Sequence, residues 1–185
     1  MTWRAATLGI FVFILAAAFS ELRMGRQVWG TSGTPGLWSG DIWSSHNSQF
    51  VADPYSFTHI THGVLFYGLL SLAMKSAPLP ARLIVAVGLE SVWEVIENTN
   101  AGIERYRTDT ISLNYYGDSI VNSMADIFAC IAGFFLASRL PRRWIVAGTI
   151  ALEAILLIWI RDNLTLNILM FIHPIRAVAL WQLRR

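Results

Sequence analysis

Apolar residues run almost unbroken through five segments, 5–22, 58–74, 83–99, 120–140 and 144–160, and through a weaker sixth, 164–183. Each is close to the roughly 20 residues a helix needs to cross the hydrocarbon layer. With backbone groups unable to bond to water there, the pattern predicts an all-α fold. That fold is a polytopic transmembrane bundle of five to six helices, making one integral membrane domain over 1–185. The connection 23–57 has no continuous apolar run and holds Trp29, Trp38 and Trp43 among many Gly and Ser. Its aromatic content argues against disorder, so it is expected to be an ordered, Trp-rich extracytoplasmic loop lying on the membrane surface. A tight turn follows at 75–82, a polar loop at 100–117 and a basic turn at 141–143. Pro174 removes an internal hydrogen bond from the sixth segment and should kink or break it. The expectation is that 164–183 spans, with re-entry as the alternative. Segment 5–22 follows Arg4 and contains Ala16, Ala17 and Ala18, features shared with a secretory signal; an uncleaved first helix is the favoured reading.

Composition agrees with the pattern. The chain is 55% hydrophobic and 14% charged, where a soluble domain carries about 25% charged residues. The net charge of +2 gives no reason to expect nucleic acid, and membrane lipids are the expected surroundings. The single cysteine, Cys130, excludes an intrachain disulfide and a cysteine metal cluster.

Polar residues interrupt the apolar segments at helical spacing. Glu90, Glu94 and Glu97 share one face of a helix, and Asp118, Asn122 and Asp126 share one face of another. His59 and His62 open the second segment three residues apart. With six spans, the side holding the N-terminus carries Arg4, Lys75, Arg82, Arg139, Arg142, Arg143, Arg184 and Arg185, against Arg23, Arg26, Arg105, Arg107 and Arg161 on the other. The positive-inside rule then makes both termini cytoplasmic. Glu90 to Glu97 and Asp118 to Asp126 each cover roughly 10 to 12 Å of depth at 1.5 Å per residue. All lie toward the outer face with the two histidines. The expected result is one polar cavity open to the outer leaflet beneath the long loop. Glu153, His173 and Arg176 are the polar residues left for the inner half.

Ionisable groups inside a membrane are costly and mark function by default. Glu94, Glu97, Asp118, Asp126 and His62 are the candidate catalytic acids and bases, since burial and like charge tune such groups for proton transfer. Asp118 and Asp126 are two turns apart, so an aspartic dyad needs a carboxylate from another helix. Arg105 and Arg107, with Asn122, are the candidate substrate-binding groups, because arginine clamps phosphate well. His59, His62 and Glu90 form a candidate metal site of nitrogen and oxygen ligands, although no HExxH motif is present. Each has a structural counterpart: histidines bonded to carboxylates, acids paired with Arg105, Arg107 or Arg161, and arginines anchored at the interface. No cofactor can be named.

At 43–48 (WSSHNS), 53–59 (DPYSFTH), 93–98 (WEVIEN) and 160–167 (IRDNLTLN), the chain resembles an uncharacterised family of Gram-negative multi-pass inner-membrane proteins, a domain of unknown function. The resemblance covers essentially the whole chain and implies a bacterial inner-membrane location without an activity. From His62 to Gly133 the order of His62, Glu90 or Glu94, Arg107 and Asp118 with Asn122 is similar to that of VanZ-like membrane proteins. Asp126 departs from that pattern, and the spacing from Arg107 to Asp118 is stretched.

Three functions follow as expectations. The first is an enzyme acting on a lipid or lipid-linked headgroup from the outer leaflet. The second is a scaffold or assembly factor in which the charges only fix packing. The third is a carrier or translocase coupled to carboxylate protonation, which needs polar groups on both sides of the midplane.

Overall fold

The computed structural model describes residues 1–30, 33–112 and 114–183. Arg184 and Arg185, counted above for orientation, lie outside the described residues. Eight helices and no strand are found among the described residues: α1 Trp3–Arg23, α2 Ser56–Ala73, α3 Leu79–Glu97, α4 Asn100–Asp109, α5 Ile120–Arg139, α6 Arg142–Ile160, α7 Leu164–Ile172 and α8 Arg176–Leu183. Three of them, α1, α5 and α6, are long and apolar enough to cross a membrane. Helices α2 and α3 have similar lengths, 18 and 19 residues, but carry the polar faces anticipated above.

The starts follow local chemistry. Thr2, Thr99, Ser119 and Asn163 each accept a backbone N–H from the first turn of the helix they precede, which satisfies donors that have no partner inside the helix. Pro78 and Pro80 begin α3, where a missing N–H costs nothing. Helix α2 lies parallel to α5 at backbone contact, with His59 toward Asp126 at one end and Tyr67 on Phe134 further along. A Cβ on Gly63 would stand 1.9 Å from the carbonyl oxygen of Cys130, and one on Gly133 would stand 2.0 Å from that of Ile60. Small residues allow such close approach where apolar burial cannot drive helix association. Helix α1 runs parallel to α3, with Phe13 over Gly88. The shared core is Ala17, Leu83, Ala86, Val87, Ile127 and Phe134. The opposite faces of α1 and α6 stay apolar and exposed, as at Phe11, Phe19, Ile150 and Ile158.

Two segments depart from the sequence reading. The polar stretch 100–117, expected to be a loop, begins with the ten-residue helix α4, capped by Thr99. Its apolar residues Ile103 and Tyr106 give it one buried face, too short a signal to stand out in a polar stretch.

The second is 164–183, expected as one weaker segment kinked or broken at Pro174, which forms two separate helices. It breaks at His173–Ile175 into α7 and α8, nine and eight residues long. At 1.5 Å per residue neither reaches half the hydrocarbon thickness. The hairpin also returns to its origin: the Gln182 side chain donates to the carbonyl of Arg161 at 3.0 Å and to Asp162 at 3.2 Å. Pro174 supplies the break, and the left-handed Arg161 (φ 55°) turns the chain out of α6.

The described residues of the 23–57 connection are ordered as expected. The connection is tied to the start of α5: Ser119, Ile120 and Val121 donate their N–H groups to the carbonyls of Ser48, Gln27 and Val28 at 2.9 to 3.2 Å. A helix N-terminus has four such donors to place, and here the loop receives three of them. Gln49 adds a bond to the Gly117 carbonyl at 2.8 Å, and Arg26 one to that of Tyr116 at 2.6 Å. The loop therefore sits as a lid over the ends of α2, α3 and α5.

Candidate functional site

Under that lid the polar faces of α2, α3 and α5 converge. The His59 ring comes from the first turn of α2 and meets Glu90 of α3, with Nδ1 at 2.6 Å from Oε1. His62, one turn on, places its Nδ1 at 3.0 Å from both oxygens of the same carboxylate. Glu94 follows one turn along α3, with Oε1 at 3.3 Å from His59 Nδ1. From α5, Asp126 approaches the other nitrogen of His59 at 3.9 Å.

Nearer the surface, Asp118 precedes α5 and meets the end of α3. Its Oδ2 accepts from Asn98 and from the Tyr115 hydroxyl, both at 2.8 Å, and Tyr115 lies 3.4 Å from Glu97. One ligand oxygen each of Glu94, Glu97 and Asp118 lies within 4.8 Å of the others. Asp118 thus meets carboxylates of another helix, the condition that a dyad required, with Glu97 rather than Asp126 as its neighbour. Asn122 is fully buried in the same wall, without contact to the cavity.

The cavity is lined by the ionisable His59, His62, Glu97, Asp118 and Asp126 and by the apolar Trp93, Leu164 and Ile168. The space open to water-sized bodies is about 50 Å³, enough for a few waters or ions. Three phenols face it: Tyr55, Tyr106 and Tyr115. Burial raises all three hydroxyls above the usual phenol range, reinforced by Asp162 for Tyr55, Glu97 for Tyr106 and Asp118 for Tyr115. They are therefore proton-bearing donors at neutral pH. Ser48, in the loop, lines the cavity in a left-handed conformation (φ 59°). Asp53 holds it there by accepting the Ser48 N–H at 2.8 Å. Burial raises the Asp53 carboxyl above the usual range, against the N–H bonds from Ser48 and Tyr55.

Charge balance is the unusual feature. Glu90, Glu94, Glu97, Asp118 and Asp126 are all at least 92% buried. Among the described residues no Lys or Arg nitrogen forms an ion pair with any of them; the histidines do. The arginines proposed as their structural partners are engaged elsewhere. Arg105 pairs with Asp109 at 2.5 Å and donates to the carbonyls of Phe171 and Ile172. Arg107 donates to the Tyr115 carbonyl, and Arg161 to that of Trp181 at 3.2 Å. Arg105 and Arg107, candidate substrate clamps from sequence, brace α7 and the Tyr115 loop and do not line the cavity. Glu153 caps the start of α7, accepting from Leu164 and Thr165 at 3.0 to 3.2 Å. It therefore belongs with the outer groups.

A family model described as protein of unknown function (DUF2585) matches residues 21–184. The chain belongs to the DUF2585 family. The first of the two sequence resemblances is thereby realised, and the VanZ-like one is not part of that match. The DUF2585 chain is 48% identical over 174 residues to a UPF0314 protein of Brucella anthropi, covering 94% of this chain and 88% of that one. It is 46% identical over 172 residues to a UPF0314 protein of Paracoccus denitrificans (93% and 89% covered) and 47% identical over 181 residues to one of Rhizobium etli (97% and 91%). No solved structure matches it.

Sequence reasoning missed several residues of this DUF2585 site. Asn98 lies four residues beyond Glu94, so the same helical period reaches it. Glu21, fully buried at the end of α1, is the lone acid of the first apolar segment, and no protein group among the described residues bonds to its carboxylate oxygens. The three phenols and Ser48 come from irregular or short segments, where periodicity carries no signal.

Proposed function

We propose that this chain is a multi-pass protein of the bacterial inner membrane, crossing five times through α1, α2, α3, α5 and α6. Its lidded cavity is then the active site of an enzyme acting on the polar headgroup of a lipid or lipid-linked molecule. Support for crossing by α2 and α3 comes from their outward faces, which expose Leu65, Leu69 and Leu72, and Leu89, Val92 and Ile96. Only their inward faces are polar, as intramembrane charge requires.

The observation that carries the enzymatic reading is the mixed lining of the cavity. Ionisable groups and phenols share a narrow space with Trp93, Leu164 and Ile168. Such a lining fits an amphipathic substrate that brings its reacting bond, not its whole body, to the carboxylates. Glu97 and Asp118 are suited to hold and pass a proton, and Tyr115 between them to donate to developing negative charge. A carrier finds less support. All 12 acidic residues lie in the outer half of their helices or in outer connections, leaving no carboxylate in the inner half to couple transport. A scaffold gives no reason for buried acids without cationic partners, which are poor packing devices.

Lipid mass spectrometry of the purified protein tests the reading. Glu97→Gln, which keeps shape and removes the acid, is expected to retain one lipid class enriched several-fold over wild type, because substrate stays bound. Identical bulk membrane lipid in both proteins, each folded, contradicts it.

A further inference from the structure

The deep end of the cavity has a geometry that proton transfer does not use. Nδ1 of His59 stands 2.6 Å from the Glu90 carboxylate and 3.3 Å from Oε1 of Glu94, and Nδ1 of His62 stands 3.0 Å from both Glu90 oxygens. Ligand atoms around a tetrahedral ion with bonds of about 2.05 Å stand about 3.3 Å apart. The measured separations run from that spacing at 3.3 Å down to 2.6 Å, so an ion has to part His59 from Glu90. His59 turns its other ring nitrogen toward Asp126 at 3.9 Å. Histidine ligands of metals regularly direct their far nitrogen at a carboxylate, which fixes the ring and raises its basicity.

A hydrogen-bonded cluster without an ion explains only half of this. Glu90 accepts from both rings and is satisfied. Glu94 is 1% exposed, points into the same space, and neither of its oxygens has a hydrogen-bond partner among the described residues. A buried carboxylate in that position is costly unless a charge meets it, and the nearest is the His59 ring, already bonded to Glu90.

We propose that His59, His62, Glu90 and Glu94 bind one divalent transition-metal ion. The mixture of imidazole and carboxylate suits zinc, manganese or ferrous iron rather than magnesium or calcium. The inference rests on the cavity being the working site and names its cofactor. Glu97 and Asp118, held by Tyr115 and Asn98, stay outside the ligand set and keep the acid–base role.

The test is elemental analysis of tag-free protein purified in detergent, then titration of chelator-treated protein with Zn²⁺ alone, read by metal content and by thermal unfolding. About one ion per chain is expected, with a rise in unfolding temperature on adding Zn²⁺. His62→Gln and Glu94→Gln should weaken binding by at least roughly 100-fold, since even outer-shell partners of a metal are worth 10- to 100-fold. Glu97→Gln should bind as wild type does. Co²⁺ in wild type should show visible absorption bands that His62→Gln lacks, a readout independent of whether one variant folds poorly.

Folded wild-type protein that takes up none of Zn²⁺, Mn²⁺ or Co²⁺ overturns the proposal. So does binding lost in Glu97→Gln and kept in His62→Gln, which places the ion on the outer carboxylates instead. Because these readouts do not involve lipid, a bound metal together with an unaltered lipid profile keeps the metal site and rejects the enzyme reading. The reverse result rejects the metal alone.

Discussion

Asn98 is fully buried where α3 ends, and its side chain joins three parts of the molecule. Its amide donates to the Glu94 carbonyl, Asp118 and Ser123, and its oxygen accepts the Asp118 N–H at 2.7 Å. Asn98→Ala should therefore cost about 2 to 4 kcal/mol, because it leaves partners buried and unbonded. The expected measurement is a lower thermal midpoint in detergent; an unchanged midpoint contradicts the bonding scheme. Asp162 offers a pH handle. Burial raises its carboxyl from an ordinary 3.8 to about 6, only partly offset by bonds from Asn163, Asn167 and Tyr55. The folded chain thus binds a proton that the unfolded chain has released between those values. Stability is greatest below about pH 4 and falls as pH rises to about 6, by on the order of 3 kcal/mol from this group alone. Asp162→Asn should flatten the unfolding midpoint across that window; an unchanged slope rules the assignment out. Much of the site was readable from residues, because the period of 3.6 places Glu90, Glu94 and Glu97 on one face whatever they meet. What they meet was not readable. Arg105 and Arg107 looked like clamps because a sequence shows their charge but not the carbonyls of Phe171 and Tyr115 that engage them.

At the scale of elements, the long apolar helices were legible and the short ones were not. Segments 5–22, 120–140 and 144–160 correspond closely to α1, α5 and α6, since uninterrupted apolar sequence has one solution in a bilayer. Helix α4 and the α7–α8 hairpin were hidden. Their form depends on partners distant in sequence: Glu153 at the start of α7, Arg105 at its end, and Gln182 returning to Arg161 and Asp162. Within 164–183 the break at Pro174 was legible, but local hydropathy cannot register that return. The consequence is testable with reporter fusions. Alkaline phosphatase joined after residue 183 should be active, while the same reporter in the turn between α2 and α3 should be inactive. Inactivity after residue 183, with a fluorescent cytoplasmic reporter there instead, means that the segment crosses.

Across the whole molecule, charge is sorted by face. The end of the bundle holding the α2–α3 and α5–α6 turns carries Arg4, Lys75, Arg82, Arg139, Arg142 and Arg143 and no acidic residue. The opposite end carries every carboxylate, and Arg26, Arg105, Arg107 and Arg161 there are bound to backbone carbonyls. Basic residues in short turns set orientation, and the proposed orientation accordingly turns the cavity outward. A lidded, acid-lined cavity that also holds apolar side chains is the feature built by every level of structure, from N-caps to helix order. Its proposed work on a membrane headgroup is the central claim. The most direct measurement is the envelope lipid profile of cells lacking the protein, complemented with wild type, Glu97→Gln or Asp118→Asn at equal membrane abundance. The account predicts that one lipid or lipid-linked class changes in the deletion, is restored by wild type, and stays changed with either variant. A profile that does not move in the deletion, or that both variants restore in full, contradicts it.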